Sequence, residues 1–184
     1  SGLKAHEVVW KGSLRADEVR WQEQRLGPMT LALSLLGRDL TVTGQVINGV
    51  SGRLGLKMRN EWPYDSSFDV DLPDLSPFLP ASARGLQVGL AGAVTAVGPM
   101  RDFSQTKAVA YLEKLVVARG EVSASNVGPA ELAWNAGAFQ VKALAMKGPT
   151  TEVSAEGFWG PSRVNLRTQG AVDLRLLSTF VPDV

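Results

Sequence analysis

The chain has no cysteine at all, which removes disulfides, thiol nucleophiles and thiolate zinc sites in one step. It has a single histidine, His6, so a histidine-based triad or a multi-histidine metal site lacks its partners. Aromatic residues are sparse at 7%. Charge of one sign is missing too: 19 basic and 18 acidic residues are mixed along 184 positions, leaving +1. A nucleic-acid partner needs clustered Lys and Arg to displace counterions, so that balance argues against one. No apolar run reaches the roughly 18 to 20 residues of a membrane-spanning helix. The chain opens on Ser1-Gly2 rather than Met, and its repeat is cut at both ends. We therefore expect a piece of a longer protein, with any anchor or targeting segment outside it.

What the chain does contain is turns and alternation. Nineteen glycines and ten prolines punctuate short apolar-polar stretches. Leu31, Leu33 and Leu35 share one side of an extended segment; Leu54, Leu56 and Met58 share another, as do Leu86, Val88 and Leu90. Period two of this kind predicts strands with one apolar face. Asn48-Gly49 is the strongest hairpin signal. Gly27-Pro28, Gly98-Pro99, Gly128-Pro129, Gly148-Pro149 and Gly160-Pro161 are each expected to end one strand and restart another. Residues 106–119 suit either a helical stripe or a strand; the β-branched Val109, Val116 and Val117 favour strand.

One motif is written twice, 102 residues apart: Val70-Asp71-Leu72-Pro73-Asp74-Leu75-Ser76-Pro77-Phe78-Leu79-Pro80 and Val172-Asp173-Leu174-Arg175-Leu176-Leu177-Ser178-Thr179-Phe180-Val181-Pro182. Seven positions are identical. The spacing of Leu72, Leu75, Phe78 and Leu79 is helical, and so is that of the second copy. Short helical turns are thus predicted at 74–79 and 173–181, the second the longer because Thr179 replaces Pro77. The recurring Asp71 and Asp173 are expected to cap them. A long internal repeat points to modular architecture. The predicted domains are a first repeat over 1–80 and a second over 81–184, each ending in its helical turn.

No catalytic constellation emerges. Asp69, Asp71 and Asp74 lack the glycine and distal glutamate of a calcium loop. Glu121, Glu131, Glu152 and Glu156 form no pair, and Lys147-Gly148-Pro149-Thr150 lacks the upstream glycine of a phosphate loop. Trp10, Trp21, Trp62, Trp134 and Trp159 could stack bases or sugars, but with no basic stripe around them packing accounts for them better. An enzyme is the reading these residues favour least, and no cofactor or metal is implied.

Leu90-Ala91-Gly92-Ala93-Val94-Thr95-Ala96-Val97-Gly98, Leu112 through Val117, and Ser125-Asn126-Val127-Gly128-Pro129-Ala130-Glu131-Leu132 together resemble the TamB family of AsmA-like envelope proteins. The duplicated Val-Asp-Leu-x-x-Leu-Ser-x-Phe-x-Pro motif is similar to the Leu-Ser-x-Leu-Leu-Pro turns between that family's repeats. The resemblance covers about residues 25–184. It implies an all-β fold: an elongated, strongly curved antiparallel sheet, apolar within, forming a half-open groove of about two repeats. It further implies a periplasmic segment of a parent anchored in the inner membrane, phospholipid as cargo, and an Omp85-class outer-membrane barrel as the parent's partner. No strand typical of the barrel-docking end is present. The expected groove-lining residues are Leu31, Leu33, Leu35, Leu54, Leu56, Met58, Val88, Leu90, Val94, Leu132, Trp134, Phe139, Val141, Val153, Val164 and Leu166. Periodicity alone leaves open whether that face meets lipid or packs on itself. A scaffold for outer-membrane protein assembly and a closed sandwich or solenoid are the competing expectations.

Overall fold

A computed structural model of the chain describes residues 9–21, 24–79, 83, 85–161 and 163–177. They form β1 (Val9–Trp21), β2 (Gln24–Leu36), β3 (Asp39–Ile47), β4 (Val50–Lys57), β5 (Pro63–Leu72), β6 (Gln87–Pro99), β7 (Lys107–Arg119), β8 (Val122–Asn126), β9 (Ala130–Asn135), β10 (Ala138–Lys147), β11 (Glu152–Gly160) and β12 (Arg163–Ala171). Four residues form helix α1 (Leu174–Leu177). The strands make one antiparallel sheet in the order β1 to β8, then β10, β11, β12, with β9 beside β10 and β7. The fold is all-β, as the alternation predicts. Residues 107–119 resolve as strand, in keeping with their β-branched content. Among the described residues no helix is long and apolar enough to cross a membrane.

The chain divides into two compact units: Ser1–Val70 with Ala93–Val109, and Asp71–Gly92 with Ala110–Val184. In the first, register is set by short turns. Gly37-Arg38 brings Leu36 opposite Asp39, so Leu35 meets Leu40 and Leu33 meets Val42. Asn48-Gly49 closes β3 on β4 as predicted, although only Gly49 takes a positive φ, at 77°. Gly27-Pro28 does not separate strands. It lies inside β2, where Gly27 pairs with Val19 at a register shift in β1. Proline survives there because such an irregularity removes the need for a ladder donor.

In the second unit the alternation of β7 slips by one. Leu112 is buried and Leu115 half-buried, while Glu113 and Lys114 between them are both exposed. Asn126 fills the gap: its Oδ1 accepts the N–H of Leu115 at 2.7 Å, and its Nδ2 donates to the carbonyls of Glu113 and Gly128. One side chain thereby satisfies three backbone groups that the irregular ladder leaves open. The turn from β9 to β10 is Ala136-Gly137, with φ of 48° and 82°. Two left-handed residues in a two-residue hairpin match the sheet's twist.

The duplicated motif builds a helical turn in both copies, but only the second is capped by a side chain. In the first, a 3₁₀ turn covers Ser76–Phe78, and Asp74 rather than Asp71 accepts the N–H of Ser76 at 2.8 Å. Proline fits only the first turn of a helix, so Pro77 fixes the start at Ser76 and makes Asp74 the acceptor within reach. In the second, Asp173 accepts the N–H of Arg175, as predicted. Residues 178–181 of the predicted helix lie outside the described residues. Leu176 from α1 closes a small core with Val122, Ala124 and Met146, flanked by Leu115, Val117, Leu144 and Val153. Each buried Leu or Met there contributes about 1.5–3 kcal/mol.

The α1 cap is built on charge. Asp173 receives the Arg175 guanidinium at 2.7 and 3.0 Å, the Thr150 hydroxyl at 2.8 Å and the Arg175 N–H. Its own N–H donates to the hydroxyl of buried Thr151. The Arg175 guanidinium first, then Thr150, hold the Asp173 carboxyl well below the usual carboxylate range. A carboxyl depressed in the native state stabilises the fold above its unfolded pKa of about 3.9, and that contribution is lost as pH falls through the lower native value. The urea midpoint of Asp173→Asn should therefore sit below wild type at pH 7, with the gap closing toward pH 2. A gap constant across that range would show that ionisation of Asp173 contributes nothing.

Candidate functional site

Pairing converts alternation into a surface. In the first unit Trp10 opposes Leu35, Gly12 opposes Leu33 and Leu14 opposes Leu31. Across β3 those leucines meet Leu40, Val42 and Gly44, which in turn meet Leu56, Leu54 and Gly52. β5 completes the row with Tyr64, Ser66, Phe68 and Val70. Directly opposed residues point to the same side of a sheet, so five strands present one nearly continuous apolar face. The other side carries Lys11, Ser13, Arg15, Thr41, Thr43, Arg53, Lys57, Asp65 and Asp69. There Arg53 and Asp65 pair at 2.9 Å. Exposed pairs of this kind add little stability and mark the solvated side.

The apolar side of this unit is only partly shielded: among the described residues Leu56, at 7% exposure, is the sole hydrophobic residue of the unit that is buried. Leu31, Leu33, Leu35, Leu54 and Val94 are half-buried. Two gaps in the face are roofed by rings. A Cβ at Gly52 would meet the Phe68 ring at 2.7 Å, and one at Gly12 would meet the Trp10 indole. Aromatic rings laid over strand glycines keep such a face apolar where the backbone would otherwise show. Val94 shares its side of β6 with Gly98, which abuts Thr106; that hydroxyl lies 3.0 Å from the Tyr64 OH. Met58 sits past the end of β4, half-buried, its N–H donating to the Arg38 carbonyl.

The second unit repeats the arrangement. Leu132 pairs with Val141 and Trp134 with Phe139; Phe139 pairs with Trp159, and Val141 with Gly157. β12 adds Val164 opposite Trp159 and Leu166 opposite Gly157. Val153 lies on the same side of β11, six residues from Trp159. Val88 and Leu90 alternate with Gly89 on β6, and Pro73 backs the Gly89 side. Here one end of the face is closed, by the Leu176 core, and the other is open: Trp134, Trp159, Val164 and Leu166 are all exposed.

Pairing also adds members that periodicity misses. Trp10, Leu14, Leu40, Val42, Tyr64 and Phe68 belong to the first unit's face, and Leu144, Met146 and Trp159 to the second's. Among the described residues no group of three or more His, Asp or Glu could hold a metal ion. No protein-family profile, curated protein or solved structure matches this chain.

Proposed function

We propose that this chain is a segment of a periplasmic β-groove protein, of the TamB kind its motifs resemble, that carries phospholipid acyl chains between inner and outer membranes. The observation that supports it most is the first unit's apolar face, five strands wide, on which Leu56 alone among the described residues is buried. A sheet face of that composition needs an apolar partner. Keeping one acyl CH₂ from water is worth roughly 0.8 kcal/mol, so a chain of about 16 carbons crossing water faces a barrier on the order of 10 kcal/mol. An apolar face shared along the path lowers that barrier with no chemical step. The parent protein would be anchored in the inner membrane and would meet an Omp85-class barrel at the outer membrane.

A second reading, a scaffold for outer-membrane protein insertion, draws on the sheet's ends. β1 and β12 are the terminal strands, and all nine residues of β12 are exposed. Open edges of this kind accept a further strand by β-augmentation. The lipid reading predicts that protein purified without harsh detergent carries phospholipid detectable by native mass spectrometry and by solvent extraction. Protein that is lipid-free by both methods, and crosslinks to nascent barrel chains through β12, would favour the scaffold instead.

A further inference from the structure

We propose that Trp134, Phe139 and Trp159 form the entry seat for one acyl chain on the second unit. The inference rests on the lipid reading above and names where on this unit a chain would enter. The three rings stand in one row across three strands, because Phe139 is the direct partner of both tryptophans. With Gly137, Gly160 and Pro161 they line a cavity of about 510 Å³. None of the six lining residues is charged, and the only side-chain hydrogen-bond donors are the two indole N–H groups. A phosphate headgroup finds no cation in that lining, and a sugar finds too few polar partners for its hydroxyls. A hydrocarbon chain needs neither.

The direction of entry follows from the two ends of the strip. At one end Trp134 is 41% and Trp159 65% exposed; at the other Met146 is 8% and Leu176 6% exposed. The Leu176 core therefore stops the strip, and the aromatic row opens it. Val153 packs against that core and Val141 is buried, so the part of the strip open to a chain is the aromatic row itself. There the chain would lie with its polar end at the indoles, the depth at which tryptophan sits when one end is apolar and the other wet.

Calorimetric titration of the full chain with dodecylphosphocholine, kept below its micelle concentration, tests this directly. Wild type should bind saturably, and phosphocholine without the chain should give no heat. The Trp134→Ala/Trp159→Ala variant should take up fewer chains per protein at saturation, the first unit's share remaining, with an unchanged circular-dichroism spectrum. Both indoles are exposed, so folding should survive; Trp159→Gln alone should show the same direction more weakly. An unchanged stoichiometry and affinity in the double variant, or displacement by methyl glucoside, would overturn the seat while leaving the lipid reading standing. Absence of any binding by wild type would remove both.

Discussion

Gly157→Ala should cost the protein about 3 kcal/mol or more, an effect larger than most single substitutions produce. Gly157 adopts φ of 138°, a region essentially closed to residues with a side chain. A Cβ there would also run into the carbonyl of Asn165 on β12. Gly44 repeats the geometry in the first unit, with φ of 136° and the Thr30 carbonyl in the same position. Both glycines lie mid-strand on the apolar side, opposite Leu166 and Leu31. Neither position has room for the alanine to relax, because the obstacle is backbone. Gly120→Ala is the fitting comparison: φ is 58° and nothing lies within 4 Å. It should cost only about 1–2 kcal/mol, the left-handed penalty alone. Urea midpoints for the two variants would decide, and equal midpoints for Gly157→Ala and Gly120→Ala would refute the close-approach argument.

The second large effect concerns binding. Leu33→Asp should weaken acyl-chain binding to the first unit at least tenfold, about 1.4 kcal/mol, through a carboxylate placed amid Gly12, Val42 and the flanking leucines. Leu33 suits the purpose better than Leu56. The latter is buried, so a charge there would threaten folding itself. Ala32→Asp places the same charge one residue away on the solvated side, where Ala32 is exposed opposite Thr43. Retention measured on lipid-loaded columns should fall for the first variant and hold for the second. Equal retention would mean that chains do not touch this face.

Much of the architecture is legible in the residues because a strand's period of two is local information. Leu31-Leu33-Leu35 and Leu54-Leu56 need no tertiary knowledge to be placed on one side. What is not local is which stretches share a side, since that depends on turn geometry. Trp159 illustrates the difficulty: Phe158 and Trp159 follow Gly157, and either could face the apolar side. Only the partnership of Trp159 with Phe139 decides. Gly27-Pro28 misleads for a related reason, because a bulged pairing in β1 lets proline stay inside a strand. That Asp74 rather than Asp71 accepts the Ser76 N–H depends on where Pro77 permits a helix to start. The slip in β7 is invisible without Asn126, whose side chain stands in for the missing ladder partners.

The central claim is that the apolar side of the sheet holds acyl chains and the polar side does not. Photo-crosslinking residues introduced singly at Leu33, Leu54 and Val42, and at Thr43, Arg53 and Lys57 on the opposite side, test it in cells. Phospholipid adducts at the first three positions with none at the second three is the predicted pattern. Adducts of equal yield on both sides, or none on the apolar side, would contradict it.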